Sequence, residues 1–529
     1  MTQQARGSVA NFADQLSAVG IRAQEEKPLA GITTQLQLKT KDWGFATQIA
    51  AQQKLRWSAI WGDHQPPNII IKSLFFGADG HLLLQTEVTE ESPELTSQTP
   101  YFIAANRPER YLHDMFGVLF LDHADQRRWI RHQAWGKTDF PLRQDFPVAG
   151  KPQENTAPDN GYPFAPVAGD GVYEIPVGPV HAGIIEPGHF RFQAMGENIL
   201  RLEERLGYVH KGIEKIAVGR DLNGLIRLAG RVSGDSTVAH SWAACQAVER
   251  ALKVELPQRA LFIRAILAER ERIANHLGDI GAICNDVGFA FAQYQLSRLR
   301  ELWQRQNQTT FGHRLLMDLL TSGGVTVDLN LADAKNMQEE ISQLQAEIEE
   351  LLPLLLEYPS LQDRLRDYAI FSPEAAQRLG AVGYVGRASN LADDLRRDAP
   401  YPPYQQLQVK VPVFDVGDIT KRLRVRGEEI LISLGLLETL IKQLPEGPLT
   451  TEVEFPQQEV EGIGLVEGWR GETLAYLRLD SQGKVLRYFP RDPSWLTWQA
   501  LEMMLDGVIV PDFPVCNKSV NGSYSGHDL

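Results

Sequence analysis

Cysteine is nearly missing from this chain of 529 residues: Cys245, Cys284 and Cys516 are the three, far apart and none in a C-x-x-C pair. A disulfide framework is therefore not expected, nor is a four-cysteine metal or iron–sulfur site within the chain. Long hydrophobic runs are missing too. No apolar stretch approaches the roughly 20 residues that span a bilayer. The opening MTQQARGSVANFADQLSAVG has no basic segment followed by an apolar core, so no secretory leader is expected and the cytoplasm is the expected compartment. Positive charge is in deficit, with 53 Lys and Arg against 67 Asp and Glu and a formal net charge of −14. That balance argues against nucleic acid as a partner and against direct binding to anionic lipid, though not against docking onto a membrane protein. What is present is ordinary for a soluble globular protein, 43% hydrophobic and 23% charged residues, in a chain long enough for two to four domains.

Periodicity divides the chain in two. Residues 32–40 alternate like a strand, 42–55 like a helix, and 68–77 and 81–88 like paired strands around a glycine-containing turn. Residues 106–147 read as an amphipathic helix followed by a charged extended arm. Residues 148–172 are rich in Pro, Gly and Asn and read as a linker. Beyond it, 189–203 alternates about a central Gly-Glu-Asn and suggests a β-hairpin, and 207–217 suggests the start of a helix. Long helices are expected at 237–256, 259–284, 289–308 and 331–358, the last a solvated bundle helix, and strands within 461–495.

The chemistry centres on RVSGDSTVAH, residues 231–240. Arg231, Ser233, Ser236 and His240 have the spacing R-x-S-G-x-S-x-x-x-H, with Gly234 and Asp235 between the serines. On residue chemistry alone this is a helix N-terminus, with Ser233, Asp235 or Ser236 accepting from the free amides of the first turn. The alternative is a polar ligand contact.

Several ordered motifs carry a family resemblance. Glu109, Arg110, Asp114, Phe116, Gly117, Arg127, Arg128, Pro141, Leu142, Arg143, Asp145 and Pro147 resemble the signature of the C component of complex I (NADH:quinone oxidoreductase). From residue 173 onward, G-P-x-H at 178–181, G-H-F-R-F at 188–192, G-Y-x-H-x-G-x-E-K at 207–215, Gly417-Asp418 with Arg422, and V-E-x-x-R-G-E at 466–472 resemble two related families. These are the D component of complex I and the large subunit of group 4 [NiFe] hydrogenases. The chain thus resembles a C–D fusion of the formate hydrogenlyase type. The fold implied is α+β: an α/β domain like the complex I C component over 1–147, a linker over 148–172, and a mainly helical domain with small β elements over 173–529.

In the resembling hydrogenases, RVSGDSTVAH would be R-x-C-G-x-C-x-x-x-H, half of a dinuclear site whose second half is D-P-C-x-x-C near the C terminus. Here serines stand in the first half, and in DFPVCNKSVNG (512–522) Cys516 falls between the ligand positions. Serine hydroxyls remain protonated near neutral pH and are poor ligands for soft metals. No metal bound by this chain is expected, hydrogenase activity is not expected, and the tail to Leu529 is expected to be retained. In the resembling complex I component the same cavity takes a quinone between a histidine and a tyrosine, and an aspartate pairs with the histidine. The histidine position falls on His189 and the aspartate on Asp286, while Gly234 stands where the tyrosine would. His181, Arg231, Ser233, Asp235, Ser236, His240 and Cys516 are the remaining cavity candidates. The resemblance further implies a small Fe–S subunit like the B component of complex I carrying a [4Fe–4S] cluster, a ferredoxin-like subunit, membrane-arm subunits, and a peripheral place on the inner face of the cell membrane. Two functions follow: an electron-transferring subunit reducing a quinone-type acceptor, or a catalytically silent scaffold coupling the Fe–S arm to an ion-translocating arm.

Overall fold

The computed structural model describes residues 6–132, 135–151, 161–181 and 185–529. The N-terminal part is built on a five-stranded sheet of β1 (Gln24–Glu25), β2 (Thr34–Gln37), β3 (Arg56–Gln65), β4 (Asn68–Gly77) and β5 (Gly80–Thr89), in the order β1-β2-β5-β4-β3. Helices α1 (Trp43–Gln52) and α2 (Asn106–Phe116) accompany it. Strand β3, RWSAIWGDHQ, is an addition to the strands that periodicity predicts. Nine of its ten residues are buried, so it lacks the alternation that marks a half-exposed strand. Helix α2 packs on β3 so closely that a Cβ at Gly62 would lie 3.2 Å from the Phe116 ring. Gly117, with φ of 81°, ends α2 in the left-handed conformation common after helices. Of the expected linker, residues 152–160 lie outside the described residues.

The second part opens with a three-stranded sheet, β6 (Val172–Val177), β7 (His189–Met195) and β8 (Asn198–Arg205), in which β7 and β8 form the expected hairpin. The helix expected from 207 forms only as α3 (Ile213–Ala217), because Gly207 and Gly212 both take positive φ. Long helices follow: α4 (Thr237–Leu252), α5 (Gln258–Asp286), α6 (Ala290–Phe311), α7 (Leu331–Glu357) and α8 (Ile419–Lys442). Asp418 caps α8 by accepting from Lys421 N at 2.7 Å, and Arg422 ties that helix to the tail through Ser519 Oγ at 3.0 Å. This is the structural content of the Gly417–Asp418–Arg422 motif.

An antiparallel sheet of β9 (Val460–Gly468), β10 (Gly471–Leu479) and β11 (Val485–Arg491) lies between the two parts. Helix α4 rests directly on β9. A Cβ at Gly462 or Gly464 would lie 2.0 or 1.9 Å from the carbonyl oxygen of Ala247 or Ala243, so no other residue fits there. The same sheet binds the N-terminal part through buried ion pairs, Arg56–Glu472 at 2.5 Å and Arg478–Asp63 at 2.8 Å. Trp61 stacks on Phe489 with centroids 5.4 Å apart. The chain closes with α9 (Ser494–Met503), α10 (Phe513–Val520) and α11 (Tyr524–Asp528), and the tail is buried through Leu529.

Candidate functional site

The RVSGDS loop enters α4 and meets the tail across 290 residues of sequence. Ser233 Oγ lies 2.9 Å from Ser523 Oγ and donates to Asp235 Oδ1 at 2.6 Å. Ser523 in turn caps α11 by accepting from Gly526 N at 2.9 Å. The two serines border a cavity of about 390 Å³, whose lining also includes Gly234, Asp235, Arg470, Lys518 and Tyr524.

The N-terminus of α4 is satisfied in a way the local sequence does not announce. Neither Ser233 nor Ser236 caps it by side chain. The carboxylate of Glu271, on α5, accepts from Val238 N at 2.7 Å and Ala239 N at 3.2 Å. The serine-capping expectation is therefore corrected: Ser236 Oγ is already held by Trp469 Nε1 and Arg470 Nη1, both at 3.1 Å. Burial lifts the Glu271 carboxyl to about 8, although the two backbone donors oppose the shift.

Arg470, from the V-E-x-x-R-G-E motif, is absent from the candidates that the sequence suggests, yet it organises the cavity. Its Nη1 and Nη2 donate to Asp235 Oδ1 and Oδ2 at 2.8 and 2.6 Å, and its Nε donates to Asn521 O at 2.8 Å. Its guanidinium carbon lies 3.9 Å over the Trp469 ring. Burial alone would raise the Asp235 carboxyl, but the Arg470 guanidinium holds it below its ordinary value. The signal in the sequence is the motif itself, which carries a buried arginine next to a glycine.

The other candidates divide. His240 is buried and pairs with Asp492 at 2.8 Å, away from solvent. Arg231 points outward to an exposed pair with Asp318. His189 is held through Nδ1 by Gly178 O at 3.2 Å, and burial, with Arg191 and Arg205 nearby, lowers its pKa. Asp286 lies at the end of α5, where burial raises its carboxyl and Lys518 opposes the rise. Among the described residues no hydrogen bond or ion pair joins His189 to Asp286, so the expected pairing is not made. In its place the tail brings Tyr524 to His181, with 3.5 Å between Oη and Nε2. Burial raises the Tyr524 phenol, and it lowers His181 together with the Lys518 charge.

The second half of the expected ligand set also moves. Cys516 is fully buried, its thiol lifted to about 12 by burial, with Arg422 opposing the rise and Asp512 adding to it. The residue facing Ser233 is Ser523, and the position three further on is Gly526. A dinuclear centre of thiolates therefore does not fit: the donors that converge here are hydroxyls, an ion-paired carboxylate and a guanidinium. Among the described residues no group of three His, Cys, Asp or Glu side chains could hold a metal ion. Among them, too, no helix is long and apolar enough to cross a membrane.

Comparisons with known proteins cover most of the chain. Residues 44–152 match the family described as respiratory-chain NADH dehydrogenase, 30 Kd subunit. Residues 286–462 and 449–528 match its 49 Kd subunit, and residues 211–278 match nickel-dependent hydrogenase. Formate hydrogenlyase subunit 5 of Escherichia coli (strain K12) is 33% identical over 87% of this chain and 81% of its own length. The fused C/D subunit of the NADH-quinone oxidoreductase of Phocaeicola vulgatus is 31% identical over 77% of this chain and 81% of its own. A chain of the membrane-bound sulfane sulfur reductase, an archaeal respiratory membrane complex, superposes with a TM-score of 0.64 at 25% identity, covering 68% of this chain and 98% of that one. The chain belongs to the family that joins complex I C–D fusion subunits with the large subunits of group 4 [NiFe] hydrogenases of the formate hydrogenlyase type.

Proposed function

We propose that this chain is the acceptor-reducing subunit of a membrane-associated, complex I-like assembly and works without a [NiFe] centre. Electrons arrive from a [4Fe–4S] cluster on a small Fe–S partner resembling the B component of complex I, itself fed through a ferredoxin-like subunit. They pass to a quinone-type acceptor in the cavity that Ser233 and Ser523 border. Membrane-arm subunits hold the assembly on the inner face of the cell membrane. The observation that carries this reading is the pairing of Tyr524, which lines the cavity, with His181.

Reduction of a quinone consumes two electrons and two protons. Tyr524 stays protonated under ordinary conditions because burial raises its pKa, so it can donate to an acceptor oxygen only as charge builds there. His181, held neutral by burial and Lys518, can relay the replacing proton through Nε2. Ser233 and Ser525 add hydroxyls at the same wall. The test is quinone reduction by the assembled complex bearing Tyr524→Phe or His181→Ala. Losing a positioned proton donor should slow turnover by about a hundredfold with assembly intact. Unchanged turnover in both variants would refute the reading and leave a scaffold role.

A further inference from the structure

Arg470 is a strong anion-binding group on the cavity wall that is anchored on all sides, and its anion position is already filled. Four of its five N–H groups are used: two on the Asp235 carboxylate, one on Ser236 Oγ and one on Asn521 O. The pairing with Asp235 is bidentate, the geometry in which guanidinium holds a carboxylate or another oxyanion most firmly. The Asp235 side chain keeps 35% of its surface open, while that of Arg470 keeps 4%. A ligand therefore meets the carboxylate, not the cation behind it. Trp469 Nε1 and Asn275 Nδ2 both bind the Asp235 carbonyl oxygen at 2.8 Å, so the backbone presenting that carboxylate is fixed. The charged groups lining the cavity are Glu186, Asp235, Arg470 and Lys518, two of each sign.

We propose that Asp235 is a built-in anion that occupies the oxyanion position of Arg470 and thereby restricts the cavity to uncharged acceptors. Asp235 is then a specificity-determining residue: it excludes anionic substrates such as polysulfide or carboxylates and admits a neutral, oxygen-bearing headgroup. The inference rests on reading the cavity as an acceptor site, but its test does not depend on turnover. Neutralising Asp235 should unmask an anion site. The desolvated guanidinium then loses its bidentate partner, with Asp492, itself bound to His240, as the remaining nearby carboxylate, and a small anion can take the vacated place.

The experiment titrates thiocyanate into the full chain by calorimetry in low-chloride buffer, following the nitrile stretch by infrared spectroscopy. Asp235→Asn and Asp235→Ser should bind thiocyanate at least about tenfold more tightly than the unaltered chain, the effect expected of one new charge-assisted contact. Adding Arg470→Met to Asp235→Asn should abolish the gain. Equal binding by the unaltered chain and both neutral variants would overturn the proposal. So would a gain that survives Arg470→Met, which would place the anion on Lys518 instead. Failure of both neutral variants to fold would make Asp235 a structural counter-ion and overturn it as well. A complex that reduces no quinone yet gains the anion site would sink only the acceptor assignment.

Discussion

Replacing Glu271 by alanine should loosen the loop that borders the cavity, although Glu271 lies on another helix. Its carboxylate accepts from Val238 N and Ala239 N, the free amides at the start of α4. Glu271 is 6% exposed, and the amides it binds belong to buried residues. Alanine leaves two buried donors unpaired, each at a cost of about 1–3 kcal/mol. Even the lower bound, about 2 kcal/mol for the pair, corresponds to roughly a thirtyfold rise in local opening. Native-state hydrogen exchange read on peptides spanning 233–245 measures this directly. Val238 and Ala239 should exchange at least about thirtyfold faster in Glu271→Ala. Ser236→Ala is the contrasting variant. Ser236 Oγ serves Trp469 and Arg470 rather than the helix, so those two amides should exchange nearly as in the unaltered chain. A fast Ser236→Ala and a slow Glu271→Ala would refute the reasoning and restore the serine as cap.

Glu271 also gives a pH dependence with a definite sign. Its folded pKa of about 8 lies above the ordinary 4.5, so between those values the folded chain holds a proton that the unfolded chain has released. Stability should therefore fall as pH rises through that window, by at most about 1.4 kcal/mol per unit. Glu271→Gln, neutral throughout, should remove that part of the slope in urea denaturation series; parallel curves would count against it. His240→Ala should destabilise the chain by about 3–5 kcal/mol, because it strips a buried carboxylate of its partner. Asp492, 1% exposed by side chain, is held below its ordinary value despite burial, His240 being the leading cause of the lowering. Adding Asp492→Asn should recover part of the lost midpoint, and no recovery would show that the histidine acts by packing.

Much of the fold is legible in the sequence because its helices and hairpins keep a periodicity. The stretch 189–203 alternates, and it folds as the β7–β8 hairpin. The helix expected over 331–358 is Leu331–Glu357, with Asn330 and Asp333 forming a capping box. Strand β3 is illegible because burial on both faces erases alternation. The cavity is half legible. Ser233 and Asp235 are visible as a motif, but their partners are distant: Ser523 and Arg470 follow Ser233 and Asp235 by 290 and 235 residues. Cys516 draws the second half-site toward 512–516 because it is the one thiol in reach. Ser523, which the fold sets 2.9 Å from Ser233, carries no thiol that would mark it.

The replacement of thiolates by serines and the presence of Asp235 belong to one electrostatic requirement. Arg470 is 4% exposed and has a face of its guanidinium taken up by Trp469. A guanidinium so buried needs an anion close by, because desolvation without a counter-charge costs several kcal/mol. A centre of thiolates would put negative charge at 233 and 236; hydroxyls put none there. Asp235, between the two serines, restores one negative charge within 2.6 Å of the guanidinium, and Ser233 and Ser236 both donate to its Oδ1. The serines therefore act as supports for the carboxylate rather than as weakened ligands. The dependence runs both ways. Cysteine at 233 or 236 alone would set a thiolate against an existing carboxylate, and like charges at that separation disfavour ionisation of the thiol. Restoring soft-metal ligation in this chain thus requires removing Asp235 as well as adding sulfur.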